Sequence, residues 1–147
     1  MTPLDTPSAG ASPFHAGERD AQARMGVGDI AWASRAIRPY LPDQHRAFFQ
    51  ALPFLAAAAR DALGRPWATL LAGDPGFVAS NDPTSLEVRA HPGLGDPLVD
   101  VFTVGADIGL LGLDFGTRRR NRANGRIVHA DPSGFRFEVR QSFGNCP

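Results

Sequence analysis

The stretch "GRIVHADPSGFRFEVRQSF", residues 125–143, limits the fold more than any other part of the chain. Apolar and polar residues alternate in both of its arms. The "ADPSG" between them is a turn sequence: Asp can bond its own backbone, Pro presets φ, and Gly accepts positive φ. A period of two sends successive side chains to opposite faces, so the arms read as a strand hairpin with one face for a core. A second hairpin is expected from apolar runs 54–59 and 67–71 around the polar "RDALGRP". Its first arm is mostly alanine, a poor strand former. Residues 85–90 alternate and read as a short strand. "ADIGLLGLDF" reads as a longer one, whose two glycines suggest close approach of a neighbouring element or a ligand.

The helices are fewer. "GERDAQARMGVG" places Glu18 and Asp20 near a helix start and Gly26 at its stop. In "LPDQHRAFFQALPF", Asp43 can cap a helix over 44–52, Phe48, Phe49 and Leu52 form an apolar stripe, and Pro53 ends it. "DPLVDVFTVG" reads as two helical turns capped by Asp96, with its Pro at the first helical position. Residues 1–16, rich in Pro, Ser, Ala and Gly, read as a flexible arm before a single domain over 17–147. The sum is a mainly β chain of five or six antiparallel strands with two or three helices. Such a meander closes best into a small barrel with flanking helices; an open α+β sandwich is the alternative.

Composition removes several kinds of chemistry. All 15 basic residues are arginine and none is lysine, which excludes a Schiff-base lysine and a P-loop lysine. A lone cysteine, Cys146, allows no disulfide within the chain, and His15, His45, His91 and His129 lack metal-ligand spacing, so no metal is expected. There is no apolar run long enough to span a bilayer and no secretory signal at the N-terminus, so the cytoplasm is the expected location. "GVGDIAW" and "GLGDP" do not extend to a dinucleotide-binding glycine motif.

Against a formal net charge of zero, "FGTRRRNRANGRI" concentrates five arginines between Arg118 and Arg126. In an extended segment Arg118, Arg120 and Arg122 share one face, with Arg119 and Asn121 on the other. Like charges on one face repel unless an anion lies between them, and the planar guanidinium fork suits a phosphate. A solvated face is the plainer alternative. Nucleic acid is a third, disfavoured by the zero net charge, a pI near 6.9 and few interleaved aromatics.

Taken together, "RDALGRPWATLLAGDPGFV", "TRRRNRANGRI" and "QSFGNCP" resemble the pyridoxamine 5'-phosphate oxidase-like, FMN-binding split-barrel flavoproteins, in a bacterial branch. The resemblance runs from about Pro13 onward. It implies a six-stranded antiparallel split barrel and a homodimer with an FMN in each of two clefts between the subunits. In that branch the closing segment usually runs on past the cysteine and proline, so the resemblance leaves open a chain lacking a short C-terminal tail or a short member of the family. Under it, Trp67, Ala68 and Thr69 run along the isoalloxazine, with the Thr69 hydroxyl facing the ring. Ser80 and Asn81 lie at the phosphate. Arg119, Arg120, Asn121 and Arg122 hold the phosphate and ribityl chain with Asn124 behind them, and Gln141, Ser142 and Asn145 come near the flavin.

Each of these residues has a structural alternative: Trp67 in a core or dimer interface, Ser80 and Asn81 as turn formers, Cys146 as a spectator rather than a redox partner. His129 is expected packed in its strand, and His45 exposed on its helix. The C-terminal Arg and His segment that binds substrate in the true oxidases has no match, so a vitamin B6 activity is not expected. The implied function is an FMN-dependent oxidoreductase of unassigned substrate, with no catalytic acid, base or nucleophile identifiable. A non-catalytic flavin- or haem-binding module is the alternative, and a polyanion binder a further one.

Overall fold

The longest ladder in the molecule is the hairpin that the alternating sequence predicts. In the computed structural model, which describes residues 12, 14–27 and 35–145, strand β6 (Arg119–Asp131) pairs antiparallel with β7 (Gly134–Asn145). The Asp131 carboxylate accepts from Ser133 N–H at 2.8 Å and holds the turn. Gly134, at φ 155 with a would-be Cβ 2.0 Å from the Val88 carbonyl, leaves no room for a side chain.

The chain forms two compact units, residues 1–37 and 38–147. In the first, α1 (Ala16–Arg24) is closed by a reciprocal cap, with Glu18 N–H donating to His15 Nδ1 at 3.2 Å and His15 N–H donating to Glu18 Oε2 at 2.8 Å. Gly26, at φ 69, follows its end as expected. Residues 1–11 and 13 of the arm, and Cys146, fall outside the described residues.

The second unit carries β1 (Phe54–Arg60), β2 (Pro66–Ala72), β3 (Val78–Ala79), β4 (Ser85–Val88), β5 (Asp107–Asp114), β6 and β7 in one antiparallel sheet ordered β2-β1-β5-β6-β7-β4-β3. The β1–β2 hairpin forms despite its alanines, because β5 pairs its other edge and supplies the hydrogen bonds that propensity does not. The sheet has seven strands rather than six. The extra one, β3, is two residues long in a stretch broken by Pro and Gly, and only its pairing with β4 makes it a strand.

The inner face follows the period of two: Leu55 and Ala57 of β1, Leu110 of β5, Ala123 and Ile127 of β6, and Phe137 of β7 are all buried. Helix α2 (Asp43–Ala51) lays Phe48 and Phe49 on this face. A Cβ at Gly112 would lie 2.7 Å from both Phe48 and Leu52, so this glycine of β5 is what admits the helix. Each buried ring is worth roughly 1.5–3 kcal/mol.

Two expected helical details differ. Pro42 precedes α2 and no side chain caps it, since Asp43 lies inside the first turn and pairs with Arg46 at 3.1 Å. The segment after Asp96 makes successive turns and no helix. The Asp96 carboxylate is divided between Leu98 N–H and the Thr69 hydroxyl, while Leu98 and Phe102 are buried in the core.

Between Asn124 and Gly125 the register shifts against β7, so that Asn124 faces Gln141 and Gly125 faces Val139, leaving Arg140 as one extra residue. A Cβ at Gly125 would sit 1.9 Å from the Glu138 carbonyl oxygen. Gly125→Ala is therefore expected to cost about 1–3 kcal/mol by forcing the bulge apart. Gly144→Ala, whose Cβ would meet Asn121 Oδ1 at an ordinary 3.5 Å, should stay within about 0.5 kcal/mol. Urea unfolding of the two variants checks the contrast.

Candidate cofactor and anion site

The turn from β5 to β6 is tied by Asp114, which accepts from Gly116 N–H at 2.9 Å and from the Thr117 hydroxyl at 2.5 Å. These bonds, led by that of Thr117, hold its pKa below the ordinary carboxylate value against the opposing effect of burial. Arg118 sits in this turn at φ 59 and is not part of the strand, so it does not share a face with Arg120 and Arg122 by alternation. From Arg119 onward the alternation holds. Asn121 and Ala123 point inward and are buried, whereas Arg120 and Arg122 are exposed on the outer face.

The five arginines separate into different environments. Arg126 donates to both carboxylate oxygens of Asp107, at 2.7 and 2.8 Å, so its charge is matched within the sheet. Arg119 lies over the Phe48 ring at 5.0 Å. Arg118, Arg119, Arg120 and Asn121 line a cavity of about 750 Å³, with Leu113 and Phe115 as its apolar wall. That volume is within the roughly 300–1,000 Å³ of small-molecule sites. Asn121 is 5% exposed and its Nδ2 has no hydrogen-bond partner.

Outside β6 the expected site residues fall into three places. Trp67, Ala68 and Thr69 lie on edge strand β2, three strand steps from β6, or about 14 Å. The Trp67 indole donates to Asp61 at 3.0 Å and the Thr69 hydroxyl donates to Asp96 on the inner side, which leaves Ala68 on the outer face. Burial works against the Asp61 charge. The Arg65 backbone N–H, the Trp67 indole, the Arg65 side chain and the Leu63 N–H outweigh it and hold the pKa at about 2.

Ser80 is buried, its hydroxyl directed to the Asp82 and Ser85 carbonyls and accepting from Arg46 Nε at 3.1 Å, while Asn81 beside it is exposed. On β7, Gln141 accepts from Asn124 Nδ2 at 3.3 Å, Ser142 points inward and donates to the Tyr40 carbonyl, and the Asn145 backbone pairs with Arg120. Asn124, Gln141, Arg120 and Arg122 are thus brought onto one face.

That face has a flat strip. Ala68, Ala58 and Gly109 lie side by side across β2, β1 and β5 and lead to Asn124 and Gln141. A Cβ at Gly109 would come within 3.1 Å of Asn124 Oδ1, so the glycine lets that amide lie low against the sheet.

Two histidines differ from expectation. His129 is exposed and bonds Asp131 at 3.2 Å, because it lies outside the core alternation near the end of β6. His45 is 7% exposed on the inner face of α2. It lies one helical turn before Phe48 and Phe49, and a single histidine flanked by polar residues gave no sign of burial. Phe48 and Gly144, beside Arg119 and Asn121, were likewise not legible as site residues.

Among the described residues no helix is long and apolar enough to cross a membrane. No family model matches the sequence, and no curated protein does. Solved structures do. The chain is similar to a candidate pyridoxamine 5'-phosphate oxidase from Lactobacillus delbrueckii at TM-score 0.55 and 16% identity, covering 72% of this chain and 95% of that one. It is also similar to a histidine-to-alanine variant of HupZ from Group A Streptococcus at TM-score 0.53 and 11% identity, covering 71% of this chain and 99% of that one. The chain therefore has the fold of the pyridoxamine 5'-phosphate oxidase-like split barrels.

Burial first, then the charges of Arg38 and Arg119, hold the His45 pKa below its ordinary 6.5. The unfolded chain thus takes up a proton at this position at a higher pH than the folded chain does, and stability is expected to fall as pH drops below about 6.5. Urea midpoints measured on either side of that pH should diverge in the native protein and converge in His45→Gln.

Proposed function

We propose that the protein binds FMN and acts as an FMN-dependent oxidoreductase on a small molecule. The observation that carries this reading is the outer face of β6. Arg120 and Arg122 stand there beside a cavity wall of further arginines, in the rows next to a strip of small residues that leads to Asn124 and Gln141 and is low enough to receive a planar ring. The donor set fits the group: guanidiniums for a phosphate, and the Asn124–Gln141 amide pair for the polar edge of a ring or a ribityl chain. The nearby Asp107 and Asp114 carboxylates are held by Arg126 and by Thr117, so neither is left to repel an anion at full strength.

Arg120 and Arg122 would hold the phosphate. Ala58, Ala68 and Gly109 would form the floor, and Asn124 with Gln141 would orient what lies on it. When bound, FMN supplies hydride and single-electron transfer. The fold alone does not select among chemistries, and substrate and electron donor stay unassigned. A reading as a flavin carrier without turnover shares all of these contacts and differs only in steady-state activity.

A charge-assisted hydrogen bond contributes on the order of 1.5–3 kcal/mol. Arg120→Ala or Arg122→Ala should accordingly weaken FMN roughly ten- to hundredfold and leave riboflavin nearly unchanged. Fluorescence titrations with the two flavins decide it, and equal shifts for both would reject the phosphate clamp.

The same outer face supports a homodimer. Leu70 is 67% exposed there, and Ala56 and Leu111 beside it are only partly covered, which leaves an apolar surface in a single chain. A cleft completed by a second copy would cover it. Leu70→Glu is expected to turn dimers into monomers in light scattering and to release flavin with them. A native protein that is monomeric while loaded with flavin would exclude a shared site.

A further inference from the structure

The inner side of β6 carries a second arrangement, next to the cavity wall that the flavin reading invokes. Asn121 Nδ2 and His45 Nδ1 are both buried side-chain nitrogens without hydrogen-bond partners, in residues 5% and 7% exposed. A buried donor left unmet is costly, and native structures keep few of them. Both residues lie beside Arg119. Asn121 shares the cavity wall with it, and His45 lies one helical turn before Phe48, whose ring Arg119 covers. Arg119 forms no ion pair within 4 Å among the described residues and lies over the Phe48 ring, though its cross-strand neighbour Asp114, whose carboxylate is engaged by Thr117 and Gly116, lines the same cavity and feels its charge. Gly144, the cross-strand neighbour of Asn121, also lines the cavity and lies on the Oδ1 side of the Asn121 amide, so Nδ2 is on the amide's other side.

We propose that Arg119, Asn121 and His45 build an oxyanion site on the inner side of β6, which takes the carboxylate or phosphate group of a small acidic ligand. Arg119 supplies charge and a planar pair of donors, and Asn121 supplies a directed amide N–H. His45 couples the site to pH. The charged groups around it are Arg38, on the segment before α2, and Arg119 of β6; Arg46 of its own helix turns away to Asp43 and Ser80. Burial first, and then the positive charges of Arg38 and Arg119, disfavour the protonated imidazole. An anion placed among these groups reverses that balance and draws a proton onto His45, so binding tightens as the pH falls. The site borders the cavity wall that the flavin reading invokes, but its own groups, Arg119, Asn121 and His45, are not those assigned there to hold the phosphate.

The test follows the His45 imidazole by NMR in the protein as purified, titrated with acetate and with sulfate at matched ionic strength between about pH 5.5 and 7.5. Saturable shifts of His45, with affinity rising by up to about tenfold for each pH unit lowered, are expected for at least one of the two anions. Preference for acetate assigns a carboxylate ligand, and preference for sulfate a phosphate-like one. Asn121→Asp, which keeps the shape and adds a repelling charge, should abolish the response, and Arg119→Met should weaken it at least tenfold. Dispersed spectra of both variants establish that they fold. An equal response to chloride, no saturation with either anion, or an unchanged response in both variants overturns the proposal. Because Arg122 belongs to the flavin clamp but not to this cavity's lining, Arg122→Ala should leave this response intact, so a failure of the flavin phosphate clamp and a failure of this site are read separately.

Discussion

One extra residue in β7 decides which side chains meet at the site. Before Arg140 the inward positions are Phe135, Phe137 and Val139; after it they are Ser142 and Gly144. The shift exchanges the two faces of the strand. It sends Gln141 outward to Asn124, turns Ser142 inward to the Tyr40 carbonyl, and sets Gly144 beside Asn121. Gly125 makes the bulge possible, because only a residue without Cβ tolerates the Glu138 carbonyl so near its α-carbon. Without the bulge, Gln141 and Phe143 would enter the core, and neither face of the site would exist in its present form.

The same strand separates two kinds of positive charge. Arg120 and Arg122 project into solvent on the outer face, where water screens them and a phosphate gains mainly from their geometry. Arg119 lies over the Phe48 ring on the inner side, itself exposed but next to the buried Asn121, whose unpaired polar atom weighs more there. Arg126 is already matched by Asp107. A cluster that looks uniform in sequence is in three dimensions a matched pair, an exposed outer face and a cavity wall that borders buried Asn121.

Glycines prepare these surfaces at two points on β5. Gly112 admits the rings of α2 against the inner face, and Gly109 allows Asn124 to lie flat on the outer one. The strand "IGLLGL" thus accommodates a helix on one side and leaves a shallow floor on the other. That is the physical content of the close approach its glycines suggested.

By itself the sequence determined the period-two strands and their hairpin partners, since alternation and turn residues are local properties that pairing only reinforces. It also determined which residues of β6 face together from Arg119 onward. Tertiary structure decided the rest. The two-residue strand β3 exists only because β4 lies beside it, and the turns after Asp96 exist because Thr69 and the core compete for that segment. Ser80 is engaged by Arg46, 34 residues away, and Arg118 is held in the turn that Asp114 ties. His45 is buried because Gly112, on a strand more than sixty residues later, lets α2 settle on the sheet. Burial and register across strands are sums over distant partners, and no local pattern in the chain carries them.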